Sequence, residues 1–236
     1  MAAMELLLLS NSTNYGGTMF SHAAEAFADV AAGDIVTFVP YALADWDYYA
    51  ERVADALGAL DIEVVSAHRS STPDKAILEA QVLLMGGGNT FRLLDSLYAL
   101  DVVGELSLRV REGATRYVGA SAGTNVACPT IRTTNDMAVV EPPSTQALGL
   151  VPFQINPHYL DAEASSTHMG ETREARLLEY LEENAAPVLG LREGSALSLQ
   201  GRQLRLIGSR GARLFRRGLE PAEFSPGSDL SFLLES

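Results

Sequence analysis

Five short apolar runs, at residues 5–9, 35–39, 62–66, 82–85 and 116–119, alternate with segments of helical spacing at 21–30, 46–60, 73–80, 90–97 and 102–112. Inside each run apolar residues follow one another instead of alternating with polar ones, so both strand faces must be buried. A mostly parallel central sheet with helices on both faces meets that demand. Right-handed crossovers then bring the strand C-termini to one edge, where such sheets bind ligands. Residues 129–169 break the rhythm with five prolines (129, 142, 143, 152 and 157) and little periodicity, the mark of a long functional or mobile connection. Helical spacing returns over 172–183. Short strands at 188–191, 196–200, 203–207 and 212–215, punctuated by Gly194, Gly201, Gly208 and Gly211, predict a small antiparallel extension near the C-terminus. The expectation is a single α/β domain over residues 1–236, of the flavodoxin-like, three-layered kind; 47% hydrophobic residues suffice for its core.

Composition excludes several functions. Thirty acidic against seventeen basic residues leave a net charge of −13, so nucleic acid and anionic membranes are repelled partners. Cys128, the lone cysteine, rules out an intrachain disulfide framework and a cysteine-cluster metal site, and fits a reducing cytoplasm. The first residues carry no basic segment, and the apolar run at 6–9 is far too short to cross a membrane.

The chemistry centres on Gly119-Ala120-Ser121-Ala122-Gly123, a G-x-S-x-G entered by an apolar run and left by a helix-compatible one. In that strand–turn–helix setting the serine sits on a sharp bend with its hydroxyl exposed and the next backbone N–H free. A nucleophilic serine needs a base, an acid to orient the base and donors for the oxyanion. Gly86-Gly87-Gly88 ends the preceding strand. If the two strands are neighbours, the Gly88 N–H joins that of Ala122 as an oxyanion pair. Among the four histidines, His22 and His68 read as surface or edge residues and His168 as solvated. His158 ends Gln154-Ile155-Asn156-Pro157-His158, where a proline can hold an imidazole at a strand end. No H-E-x-x-H or H-x-H spacing offers a metal site, and no cofactor motif occurs. Two carboxylates compete for the third role: Asp136, in a Thr- and Asn-rich loop, and Glu193, in a loop closing the run at 188–191.

Together these segments, with residues 6–13, 128–136 and 170–174, resemble the peptidase E family of α-aspartyl dipeptidases, in order and spacing from residue 4 to about 200. The resemblance implies a class I glutamine-amidotransferase-like fold and a cofactor-free serine hydrolase that cleaves Asp-X dipeptides. It maps the nucleophile onto Ser121, the base onto His158 and the acid onto Asp136, with Glu193 as the alternative. It also implies a cation for the aspartate side chain. Arg173 is the first choice because a guanidinium grips a carboxylate through two bonds, and Arg132 the second. Glu171 is a candidate for the substrate's amino group, and Asn89 a further substrate-binding residue. The expected assembly is a monomer or homodimer. Residues 141–149 and the tail after 211 depart from the family pattern, and 220–236 match no motif.

Three other readings fit less well. In an α/β-hydrolase esterase the acid and histidine lie further beyond the nucleophile than fifteen residues for Asp136 allow. A glutamine amidotransferase would place Cys at 121 and an acid two residues after its histidine, where Leu160 stands. A non-enzymatic ligand-binding protein would not need all these residue types together.

Overall fold

The computed structural model describes residues 3–162 and 170–235. The first half runs β1 (Glu5–Leu9), α1 (Ala24–Ala31), β2 (Val36–Val39), α2 (Trp46–Gly58), β3 (Val64–Ser66), α3 (Pro73–Leu78), β4 (Val82–Met85), α4 (Thr90–Ala99), α5 (Val103–Arg111) and β5 (Arg116–Ala120). The second half runs α6 (Ala122–Val126), β6 (Gln154–Pro157), α7 (Arg173–Glu183), β7 (Val188–Leu191), β8 (Ser195–Gln200), β9 (Gln203–Gly208), β10 (Ala212–Phe215) and β11 (Ala222–Phe224).

Strands order as β3-β2-β4-β5-β1-β8-β9 in a seven-stranded sheet whose first five members are parallel. The apolar runs are buried on both faces, as their composition requires. Leu6 and Leu8 of β1 join a core with Leu93 and Leu97 of α4, Leu106 of α5 and Val126 of α6. Leu7 and Leu9 face the opposite way, onto Phe27 of α1 and Val53 and Leu57 of α2. Side-chain caps start two of these helices: Asp45 accepts from Tyr48 N at 3.0 Å, and Asn89 accepts from Arg92 N at 3.1 Å.

The C-terminal strands divide between two sheets. β8 extends the main sheet antiparallel to β1 and β9 pairs antiparallel to β8 at its edge, whereas β7 and β10 leave it and join β6 and β11 in a four-stranded sheet. Within that second sheet β6 and β7 run parallel, with Pro157 level with Leu191, so two strand ends finish side by side. A proline is tolerated there because it closes the strand, where a missing N–H interrupts little of the ladder. One face of this sheet packs Leu189, Leu191 and Leu214 into the main core; α7 covers the other through Leu177 and Leu181 against Val188 and Phe215. The second sheet thereby delivers its strand ends beside the end of β5, where Ser121 sits.

Candidate active site

Ser121 joins β5 to α6 with φ 53° and ψ −104°, a backbone region that L-residues seldom enter. Its neighbours hold it there. Ser121 N donates to Leu9 O at 3.1 Å, the Thr124 hydroxyl donates to Leu9 O at 2.7 Å, and the buried Tyr117 hydroxyl donates to Gly123 O at 2.6 Å. Both flanking glycines are sterically required. A Cβ on Gly119 would lie 2.7 Å from the Gly123 carbonyl carbon, and one on Gly123 would overlap the Met85 carbonyl oxygen. Gly123→Ala is therefore expected to cost about 3 kcal/mol or more in urea unfolding, because β4 backbone must move to admit one methyl. A loss below about 1 kcal/mol would contradict this close approach.

His158 follows β6 with φ 52°, turning its ring away from the strand line. Its N–H donates to the Ser10 hydroxyl at 2.9 Å, and that hydroxyl donates to Leu191 O at 2.8 Å, so buried Ser10 ties the ends of β1, β6 and β7 together. His158 Nε2 lies 2.8 Å from Ser121 Oγ, and Nδ1 lies 2.6 Å from Glu193 Oε1. An ionised carboxylate only accepts, which makes Nδ1 the protonated nitrogen of the neutral ring and leaves Nε2 to accept from the serine. Glu193 is set by the 192–195 turn. Gly194 takes φ 82° there and donates its N–H to Asn11 Oδ1 at 2.8 Å. A hydroxyl, an imidazole and a carboxylate in this line can pass a proton off the serine and return it to a leaving group.

Asp136, the carboxylate that the family motif pointed to, stands elsewhere in this structure. Its Oδ2 accepts from Thr90 N at 2.8 Å and from the Thr90 hydroxyl at 2.5 Å, at the electropositive start of α4. The 133–137 segment is ordered, because Asn135 and Asn156 pin it to β6: Asn135 Nδ2 donates to Pro157 O at 2.7 Å and Asn156 Nδ2 to Thr133 O at 2.8 Å. The Thr90 N–H and hydroxyl thus hold the carboxylate that was expected behind His158, and Glu193 lies beside Nδ1 instead.

The expected neighbours of the glycine loop are met. β4 and β5 pair with Met85 level with Gly119, and Gly88 borders the serine. Gly88 adopts φ 132°, and a Cβ there would meet Ala42 O at 2.7 Å. Among the described residues neither the Gly88 N–H nor the Ala122 N–H has a protein acceptor. A cleft of about 820 Å³ opens over Ser121 and His158, walled by Asp136, Arg173, Glu193 and Tyr159. Arg173 is half-buried there with no hydrogen bond or ion pair among the described residues. Burial and the neighbouring Arg176 lower its pKa, and Asp136 works against them. The other expected substrate residues do not line the cleft. Exposed Arg132 donates to the Thr145 hydroxyl at 3.3 Å, Glu171 pairs with Arg176 at 3.5 Å, and Asn89 caps α4 while donating to Met137 O at 2.8 Å. His22 and His68 do not line the cleft, and His168 lies outside the described residues.

The sequence pattern described as peptidase family S51 matches residues 6–207. The chain belongs to peptidase family S51. It is 55% identical to peptidase E of Streptomyces coelicolor over 98% of this chain and 96% of that protein. It is 47% identical to a probable alpha-aspartyl dipeptidase of Drosophila melanogaster over 99% of each. The fold is shared with a peptidase from an acI-B1 Actinobacterium, at a TM-score of 0.70 and 15% identity over 98% of both chains. It is also shared with a putative peptidase E of Listeria monocytogenes, at a TM-score of 0.65 and 23% identity over 88% of this chain and 99% of that one.

Three supporting residues of this S51 peptidase escaped sequence reasoning. Ser10 and Asn11 directly follow an apolar strand yet are buried, and they fix the His158 and Glu193 turns. A polar pair at the binding edge of a sheet was the available signal. Tyr49 of α2 packs on Gly86 and takes the Gly87 N–H with its hydroxyl; burial raises its pKa to about 12. Nothing in its helical spacing distinguished it from an ordinary core residue. Among the described residues no helix is long and apolar enough to cross a membrane.

Proposed function

We propose that this S51 peptidase hydrolyses dipeptides with an N-terminal aspartate through an acyl-enzyme on Ser121. The observation that carries this reading is the Ser121–His158–Glu193 line opening into a cleft that holds Arg173, which has no ion pair among the described residues. His158 Nε2 takes the serine proton as Oγ attacks the Asp-X carbonyl. The Gly88 and Ala122 N–H groups receive the oxyanion, and Glu193 stabilises the imidazolium. His158 then protonates the departing amine of X, and water, deprotonated by the same imidazole, releases aspartate. No cofactor enters these steps.

Arg173 suits the aspartate side chain because it is half-buried in the cleft and, among the described residues, forms no ion pair; an incoming carboxylate can take its guanidinium. Asp136 takes both Thr90 donors on Oδ2, which leaves Oδ1 for the substrate's ammonium. Asp136 replaces Glu171 in that role, since Glu171 faces Arg176 outside the cleft. The relatives called peptidase E and probable alpha-aspartyl dipeptidase support the same reading. All groups come from one chain, which suits action as a monomer or homodimer on small peptides, and the single cysteine suits the cytoplasm.

Hydrolysis of Asp-Leu set against Ala-Leu and Leu-Leu tests the assignment, with Asp-Leu expected to be strongly preferred. Arg173→Met is expected to lower kcat/KM for Asp-Leu by about 100-fold, close to the worth of a desolvated charge-assisted pair. The same variant should still be phosphonylated at Ser121 by a fluorophosphonate probe, with loss of fluoride. An unchanged kcat/KM would remove Arg173 from substrate recognition.

A further inference from the structure

Two hollows meet at the catalytic serine. Gly88, Ser121 and His158 belong to both. The larger holds Arg173 and Asp136. The smaller, of about 270 Å³, lies past Gly87 and is walled by Met19, Leu43, Tyr48 and Arg52. α2 presents Tyr48 and Arg52 one turn apart, and the Arg52 guanidinium lies over the Tyr48 ring, 5.7 Å from its centre. Among the described residues Arg52 has no carboxylate partner, although Arg69 nearby is paired with Asp47 at 2.9 Å and with Glu51 at 3.6 Å. Arg52 lines the same hollow as Gly87 and Gly88, so the cation stands beside the glycine loop.

We propose that this smaller hollow receives the leaving residue X, and that Arg52 binds its C-terminal carboxylate and so selects dipeptides over longer or blocked peptides. The inference rests on the Asp-X reading above. If the aspartyl half fills the hollow of Arg173 and Asp136, the chain beyond the scissile bond must leave through the other one. His158 serves both sides from the boundary, where it protonates the departing amine. One extended residue spans about 3.5 Å, so the carboxylate of a dipeptide stays near Ser121 in the hollow that Arg52 lines, and each further residue moves the terminal charge on by another such step. Met19 and Leu43 give the X side chain an apolar wall, with Ser12 and Thr13 also lining the hollow. Arg52 is exposed, and among the described residues no ion pair has to be broken before a substrate carboxylate can reach it.

Asp-Leu and Asp-Leu-amide share one scissile bond and differ only in the terminal charge. Wild type is expected to favour the acid over the amide by roughly 10-fold in kcat/KM, mainly through KM, as one partly exposed charge-assisted pair allows. In Arg52→Met that ratio should collapse towards one, and Arg52→Lys should restore part of it. Because both substrates are assayed on one preparation, a partly inactive sample cancels in the ratio. Equal cleavage of acid and amide by wild type, or an undiminished ratio in Arg52→Met, overturns the proposal. Failure of the Asp-X reading appears separately, as a wild-type preference for Ala-Leu over Asp-Leu. The comparison is then made on Ala-Leu and its amide, with the same expected collapse.

Discussion

Ser121→Ala is expected to lower kcat on Asp-Leu by about 10⁴- to 10⁶-fold, the loss that follows removal of the nucleophile from a serine–histidine–carboxylate arrangement. KM should change little, because the groups assigned to recognition, Arg173 and Asp136, do not touch the hydroxyl. The backbone at 121 adds a second, independent expectation. Alanine keeps a Cβ at φ 53° and ψ −104°, so Ser121→Ala retains the strain of the turn. Ser121→Gly removes it. A strained conformation of this kind costs about 1–3 kcal/mol, more than the backbone entropy that glycine adds to the unfolded chain. Ser121→Gly should therefore be the more stable variant by about 1 kcal/mol in urea unfolding, the reverse of the usual order of glycine and alanine within a folded element. If Ser121→Gly is the weaker fold, the bend is not strained. If Ser121→Ala keeps more than about 1% of wild-type kcat, the nucleophile lies elsewhere.

Most of the scaffold behind that serine was legible because its cause is local. Leu6 to Leu9 form an uninterrupted apolar run, and a strand buried on both faces is what such a run requires. The glycines at 119 and 123 announced a close approach, and the structure identifies what approaches: the Met85 carbonyl of the neighbouring strand. The second sheet was not legible. β6 and β7 pair in parallel across an intervening helix, and the tie between them passes through Ser10, far away in sequence. Which carboxylate lies beside His158 was hidden for the same reason. Asp136 and Glu193 both sit in polar loops of unremarkable composition. Thr90 N–H decides where the first one points, and Asn11 decides where the second one turns.

Those two anchors give Glu193→Gln and Asp136→Asn distinct expected signatures. Glutamine keeps the size of Glu193 but loses the charge that stabilises the imidazolium. It can also present an NH₂ to Nδ1, which favours the tautomer with its proton on Nε2, facing the serine and unable to accept. Loss of a fully buried carboxylate costs about 10⁴-fold in kcat. The Glu193 side chain is 56% exposed, so water carries part of its role, and a fall of about 10²- to 10³-fold is expected. Asp136→Asn should act on the dipeptide mainly through KM, since Oδ2 binds Thr90 and only Oδ1 is left for the substrate. Labelling of Ser121 by a fluorophosphonate separates the two, because the probe has no ammonium group and depends on the activated hydroxyl alone. Glu193→Gln should slow that labelling far more than Asp136→Asn does. The opposite order would return the orienting role to Asp136 and would require its carboxylate to leave Thr90 for His158 during turnover.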